Sequence, residues 1–157
     1  MRILILATTA GAVLLAACQA PVEFDPEDPA IVAAIEAGVD EAIEGSRNVD
    51  ADRVLAMAEG EGELTFITGD VMLSGLDYIR ETFRDTYAGL ESQDNTIIEK
   101  RVRILSPDVA IVIATSEGRY TDKAGWTSEP VGMGHTLVFV RENGEWRARH
   151  VHQSIAP

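Results

Sequence analysis

The three histidines of this sequence, His135, His150 and His152, are the residues best suited to acid–base or ligand chemistry. His150 and His152 lie two positions apart in the segment WRARHVHQS. Side chains with this spacing in a β-strand point to the same face of the sheet. Imidazoles held there can transfer protons, bind a polar ligand or coordinate a metal ion.

The register of the last hairpin decides whether the third histidine joins the other two. Asn143-Gly144 is typical of a two-residue turn between antiparallel strands. Counting back from that turn places His135 directly opposite His152. The resulting face combines the histidines with mainly apolar neighbours: His135, Leu137, Phe139, Arg141, Trp146, Ala148, His150 and His152. We expect this face to line a cavity with Trp146 as its apolar floor, unless a bulge shifts the register.

Three interpretations of the histidines remain open at this point. They could bind zinc, but no nearby carboxylate is evident to orient the rings, so no metal is expected. They could contact a polar ligand or shuttle protons in a pocket. They could also be hydrogen-bonded within the sheet or buried at a dimer face.

The other residues that could take part in catalysis form no recognisable catalytic motif in the sequence. A phenol could come from Tyr78, Tyr87 or Tyr120, and we include Tyr120 among the pocket candidates, although the edge of a core is the ordinary place for each. The sequence contains no G-x-S-x-G, no phosphate-binding glycine loop, no CxxC and no H-E-x-x-H. No cofactor is therefore expected, and the catalytic residues, if any exist, are unknown.

The elements that would position these residues form an α+β pattern. Asp28-Pro29 is typical of a helix start, and an apolar stripe with a four-residue repeat follows it. Asp50 is expected to cap a short second helix, and Ser74 to open a third through a capping box. A short hairpin is expected at 64–73, and four long strand-like runs follow at 95–106, 108–121, 130–142 and 145–155. Helices first and a long meander last favour helices packed on an antiparallel sheet.

The N-terminus has the pattern of an export signal. Residues 1–17 consist of Met1-Arg2 and an uncharged apolar run that is short for a membrane span. The run leads into Leu15-Ala16-Ala17-Cys18, which resembles the lipobox of bacterial lipoproteins and implies lipidation of Cys18. We expect residues 18–27 to be the anchor and tether and residues 28–157 to be the domain. The expected location is the cell envelope, on a lipid anchor facing the periplasm or the exterior.

Charge narrows the range of partners. The formal net charge of the chain is −13, which repels the phosphate backbone of nucleic acids and argues against their binding. The same charge disfavours peripheral binding to anionic lipid, so membrane contact is expected only through the lipid anchor. A small-molecule ligand remains compatible with this composition.

Three segments of the domain resemble the nuclear transport factor 2-like superfamily, closest to its SnoaL-like and ketosteroid-isomerase-like branch. Asn48-Val49-Asp50 resembles the Gly-Asp start of the family's second helix, with Asn48 at the glycine position. SGLDYIRETF, residues 74–83, resembles the start of its third helix. The terminal hairpin, TLVFVRENGEWRARHVHQS, resembles the family ending, and the association domain of calcium/calmodulin-dependent kinase II ends similarly. The resemblance covers about residues 30–155.

This resemblance implies a cone-shaped fold, in which a strongly curved sheet wraps around the long helix, and a homodimer formed through the sheet. It leaves the activity open, because the fold serves binding domains, enzymes and assembly modules. The leading expectation is a small-molecule-binding or accessory domain. One alternative is an isomerase, cyclase or dehydratase that uses acid–base catalysis, although no residue matches the catalytic Asp of ketosteroid isomerase. The other alternative is an oligomerisation module.

Overall fold

The computed structural model describes residues 24–156, which form three helices packed on one six-stranded sheet. The helices are α1 (Pro29–Arg47), α2 (Ala51–Leu55), which continues into a 3-10 turn (Ala56–Ala58), and α3 (Leu76–Tyr87). The strands are β1 (Thr65–Thr68), β2 (Val71–Ser74), β3 (Leu90–Ser106), β4 (Val109–Asp122), β5 (Val131–Glu142) and β6 (Glu145–Ile155). The expected α+β cone is confirmed.

The first helix begins and packs as its sequence predicts. The Asp28 side chain accepts a hydrogen bond from the backbone N–H of Ala30 at 2.9 Å, and Pro29 occupies the first turn. The apolar stripe turns toward the sheet, and Ile35 and Val39 are buried in the core. This packing holds α1 against the inner face of the sheet.

The start of α3 differs from its prediction. Gly75 is the N-cap, with a positive φ of 90°, and no side chain caps the helix there. The Ser74 hydroxyl instead donates to a carboxylate oxygen of Glu63 at 2.6 Å. The predicted capping box is therefore wrong, because Ser74 still belongs to β2 and its hydroxyl is used outside the helix.

The sheet has the strand order β2-β1-β6-β5-β4-β3. The last four strands form the predicted antiparallel meander, but β1 pairs with β6 in parallel, with Phe66 opposite Val151. The two-residue turn at Asn143-Gly144 is confirmed, since Glu142 pairs with Glu145 and both turn residues have positive φ. The strand β3 begins at Leu90, five residues before the predicted start at 95.

One continuous core joins the inner face of the sheet to the helices. Its fully buried side chains include Ile35, Leu64, Ile79, Val112 and Phe139. All members of this core cluster lie between Ile31 and Val151. The described residues therefore have a continuous hydrophobic core of their own, and we treat this part of the chain as a folding unit.

Val49, between α1 and α2, has an unusual backbone conformation. Its φ of 50° lies in the left-handed region, which is strained for a β-branched side chain. The chain turns here so that Asp50 can accept a hydrogen bond from the backbone N–H of Arg53 at 3.0 Å. The position that favours glycine is therefore Val49, whereas the sequence comparison had placed it at Asn48.

The predicted signal peptide, the lipidation site Cys18 and most of the predicted tether lie outside the described residues. Within residues 24–156, no helix combines the length and apolar character needed to cross a membrane.

Candidate functional site

A large cavity lies between the helices and the inner face of the sheet. Its volume is about 650 Å³, and side chains from all three helices and all six strands line it. Leu55, Ala58 and Leu64 close its deep end and are almost fully buried. Arg119, Tyr120 and Ile155 are exposed lining residues and mark its mouth. The cone is open and is large enough for a drug-sized molecule.

The space exists because the inner face of β4 carries small side chains. Every second residue of this strand faces inward, and these residues are buried: Ala110, Val112, Ala114, Ser116 and Gly118. The last three line the cavity, as does Ala148 on β6. Leu or Phe at these positions would fill the cone, so the small residues are what leaves it open.

His135 and Ser116 form the polar centre of the cavity wall. Nε2 of His135 lies 2.7 Å from Oγ of Ser116, on the neighbouring strand. Burial lowers the pKa of His135 below its ordinary value of 6.5, so the ring is neutral at pH 7. Among the described residues, Nδ1 has no hydrogen-bond partner, yet it is not sealed inside the protein. This nitrogen is therefore available to a ligand.

A second polar group occupies the wall formed by α1 and β3. The Ser46 hydroxyl donates to Oε1 of Gln93 at 2.5 Å, and Nδ2 of Asn95 donates to Oγ of Ser46 at 2.7 Å. Burial raises the pKa of the nearby Tyr87 phenol, and hydrogen bonding to Ser46 partly opposes the effect. Gly118 makes room for the group, because a Cβ there would collide with Oδ1 of Asn95.

The structure corrects the predicted face of three histidines. From the turn back to Phe139 and Ala148 the strands pair as predicted, but Val138 then pairs with His150. Arg149 has no partner in this pairing and forms a bulge, which reverses the faces of the residues after it. His135 faces the cavity, whereas His150 and His152 lie on the outer face and line no part of it. The expectation that His135 lies opposite His152 is wrong, since Gln153 takes that place.

The bulge is held by the side chain of Arg149. Its Nε donates to Oε1 of Glu142 at 2.5 Å, and its Nη1 donates to the carbonyl of Ala58 at 2.6 Å. The Arg149 side chain is 11% exposed, so most of it is withdrawn from solvent. Hydrogen bonding from Arg149 holds the pKa of Glu142 below its usual value. Gly62 lies so close to the pair that a Cβ at this position would collide with both side chains.

The other two predicted pocket residues have different positions. Tyr120 lines the mouth of the cavity, where its ring packs edge-on against Trp126 with centroids 5.7 Å apart. Trp146 is half-buried opposite Arg141 and packs against the core, but it is not part of the cavity lining. It lies between the hairpin turn and the bulge and does not form the expected floor of the cavity.

The described lining of the cavity contains no counterpart of the Asp base that ketosteroid isomerase uses. Among the described lining residues there is no Asp, Glu or Lys, and the titratable groups are Tyr87, Arg119, Tyr120 and His135. The zinc alternative also fails on geometry, because the bulge separates His135 from His150 and His152. Within residues 24–156, no three His, Cys, Asp or Glu residues lie close enough together to hold a metal ion. The described lining offers mainly apolar surface with a few hydrogen-bonding groups.

Sequence reasoning missed Ser116, Gln93 and Asn95. Each is an ordinary strand residue in the sequence and becomes notable only through its neighbours in the cone. The usable signal was the alternation of small residues in AIVIATSEG, which places Ala114, Ser116 and Gly118 on one face. When the face of a strand that packs against helices carries only small residues, a cavity between the strand and the helices is indicated.

The curved sheet, the long helix and the open cavity define a nuclear transport factor 2-like cone. Solved structures with this fold include such a protein from Salmonella enterica serovar Typhimurium, with a TM-score of 0.72 at 16% identity over 80% of this chain and 91% of that one. A ketosteroid isomerase-like protein from Erwinia carotovora atroseptica gives a TM-score of 0.64 at 22% identity, over 80% of this chain and 96% of its own. At these identities the similarity establishes the fold alone.

The family follows from the sequence. The model of the calcium/calmodulin-dependent protein kinase II association domain family matches residues 28–157, and the chain belongs to that family. A Xanthomonas campestris protein provisionally assigned to the same association domain has a TM-score of 0.63 at 20% identity, over 85% of this chain and 90% of its own. A search of curated protein sequences found no match.

Proposed function

We propose that this protein binds a small molecule in the cone, as the domain of a lipid-anchored protein of the cell envelope. The observation that carries the proposal is the open cavity of about 650 Å³ with mainly apolar walls. A protein that used the fold only as an assembly scaffold would gain stability by filling this space. The small residues of β4 and the available Nδ1 of His135 support binding as the role of the cavity.

The test uses the chain from residue 24, free of detergent, and the neutral fluorescent probe N-phenyl-1-naphthylamine. The probe should bind with increased emission, and Ala42→Trp should weaken binding about ten-fold or more by filling the cavity. Ala37→Trp is the matched control, since Ala37 is exposed on the same helix and is not part of the lining. No probe binding, or equal binding by both variants and the wild type, would contradict the proposal.

The envelope location rests on the sequence of the N-terminus. Leu15-Ala16-Ala17-Cys18 follows an uncharged apolar run, and Cys18 is the only cysteine in the chain. Lipidation would give the domain a membrane anchor without a spanning helix. In a bacterial host, the wild-type protein should sediment with membranes and Cys18→Ala should remain in the soluble fraction, with Gln19→Ala as control. Membrane retention of Cys18→Ala would contradict lipidation.

The family membership favours a second role, self-association as a homodimer. The outer face of the central strands carries apolar side chains that are only partly covered by the described chain: Ile111 and Val138 are half-buried, and Ile113 is 47% exposed. Ile113→Asp should convert a dimer to a monomer in sedimentation equilibrium. Ile98→Asp is the control, because Ile98 is an exposed isoleucine at a bulge of the edge strand β3, outside the central strands. A wild-type chain that is monomeric at all concentrations would exclude this role.

A further inference from the structure

The charge content of the cavity restricts the ligand. Arg119 is the one charged residue among the described lining residues, and it is exposed at the mouth. Its Nη2 donates to Oδ2 of Asp94 at 3.0 Å, so its charge already has a partner. A charged ligand that entered the cone would lose its hydration without meeting an opposite charge. The cavity therefore disfavours anions and cations alike.

The deep half of the cavity offers apolar contact. Its wall there is formed by side chains such as Val39, Leu55, Leu64, Phe66, Leu137 and Val151. Burial of a ligand's apolar surface against them is the main driving force available for binding. A ligand that fits this cavity is therefore largely apolar.

His135 supplies the polar contact within this apolar wall. When the Ser116 hydroxyl donates to Nε2, the neutral ring carries its proton on Nδ1 and can donate to an oxygen of the ligand. A ligand that covers Nδ1 without a polar atom leaves it desolvated and unpaired, which weakens binding by about ten-fold. The preferred ligand thus has an oxygen at this place.

From these contacts we infer that the cavity selects an uncharged, largely apolar molecule with a carbonyl or hydroxyl oxygen bound to Nδ1 of His135. This inference rests on the proposed function and adds the ligand class. Ser116 is a positioning residue in this arrangement, because its hydrogen bond to Nε2 orients the ring.

Three molecules of matched shape test the ligand class by displacing N-phenyl-1-naphthylamine from the chain beginning at residue 24. They are 2-acetylnaphthalene, with a carbonyl, 2-ethylnaphthalene, without a polar atom, and 2-naphthoate, an anion. At pH 7.5, naphthoate should bind about ten-fold or more weakly than the ketone. Naphthoate binding as tight as the ketone, and blocked by Ala42→Trp, would overturn the ligand class and leave the proposed function standing.

His135 variants test the polar contact. His135→Leu should shift the ratio of the ketone and ethyl dissociation constants by about ten-fold against the ketone. His135→Gln keeps a donor and should shift the ratio less. An unchanged ratio in His135→Leu, with its fold retained by circular dichroism, would show that the ligand oxygen does not meet this ring. If neither the probe nor any of the three molecules binds the wild type, the proposed function itself fails.

Discussion

Nε2 of His135 lies 2.7 Å from Oγ of Ser116, and the two residues stand on adjacent strands inside the cone. This pair is the polar centre of a cavity whose other walls are mainly apolar. The hydrogen bond uses one ring nitrogen, and the other has no hydrogen-bond partner among the described residues. Of the three histidines, His135 alone lines the cavity, and it is the ligand contact that we propose.

The half-buried ring of His135 should make the stability of the protein depend on pH. Burial lowers the pKa of His135 in the folded state below the ordinary 6.5, so the unfolded chain takes up the proton first as the pH falls. The free energy of unfolding should therefore be highest above about pH 6.5. It should decline as the pH falls from there to the pKa of His135 in the folded protein. Melting curves between pH 8 and 5 should show this decline, and His135→Gln should reduce it.

The control for that experiment is His152→Gln, which changes an exposed ring on the outer face and keeps the His135 contribution. The titratable groups that share the cavity with His135 are Tyr87, Arg119 and Tyr120. If His135→Gln loses as much stability between pH 8 and 5 as the wild type, the His135 ring is in water and not in the cavity.

The bulge residue Arg149 should matter more for stability than its strand neighbour Arg147. Arg149 binds both Glu142 and the carbonyl of Ala58, and its side chain is 11% exposed. Arg147 pairs with Glu145, whose side chain is 68% exposed, so solvent screens that pair. We expect Arg149→Met to lower the Tm clearly more than Arg147→Met; equal shifts would contradict the role of Arg149 in holding the bulge.

The ion pair of Arg149 and Glu142 should lose its stabilising effect at acid pH. Hydrogen bonding from Arg149 lowers the pKa of Glu142 from 4.5, so the pair contributes stability above about that pH. The contribution is lost as the pH falls through the lower folded pKa. Glu142→Gln should therefore lower the Tm at pH 7 and change it little at the most acidic pH at which the chain stays folded. A constant difference across this range would show that the carboxylate charge is not involved.

Val49→Gly should stabilise the protein. A β-branched residue at a φ of 50° carries about 1–2 kcal/mol of strain, which exceeds the entropy cost of glycine, and we expect a gain of about 1 kcal/mol. Urea unfolding measures it. Asn143→Gly is the control, because asparagine tolerates its φ of 51° at the turn and the change should be small. A loss of stability in Val49→Gly would mean that the packing of the valine outweighs its strain.

Asp28 and Ser74 were both predicted to cap helices, but replacing each by alanine should lower the free energy of unfolding by different amounts. Asp28→Ala removes the side chain that accepts from the N-terminus of α1 and should cost about 1 kcal/mol of unfolding free energy. Ser74→Ala should cost less, since Ser74 does not cap α3 and its partner Glu63 is exposed. Urea unfolding of the two variants compares them directly, and a larger loss in Ser74→Ala would reverse this assignment.

Local rules predicted the elements of this fold well. The Asp28 cap, the Asn143-Gly144 turn and the apolar stripe of α1 depend on neighbours within a few residues, and all of them were predicted. The parallel pairing of β1 with β6 was not predicted, because it joins residues more than eighty positions apart and depends on how the whole sheet curves.

The residues of the candidate site were predicted less completely than the elements of the fold. The hairpin register was correct from the turn to Ala148, and the bulge at Arg149 then moved His150 and His152 to the outer face. The bulge depends on Glu142 and on a carbonyl of the helical layer, which a hairpin pattern does not contain. Ser116 was missed because a serine in a strand has no special signature until its cross-strand neighbour is known.

The response of the three imidazoles to a bound ligand tests the binding site in the cone most directly. In ¹⁵N-edited NMR spectra of the chain from residue 24, addition of 2-acetylnaphthalene should shift the ring signals of His135 and leave those of His150 and His152 in place. Shifts of His150 or His152 without His135, or no shift at saturating ligand, would contradict a binding site inside the cone.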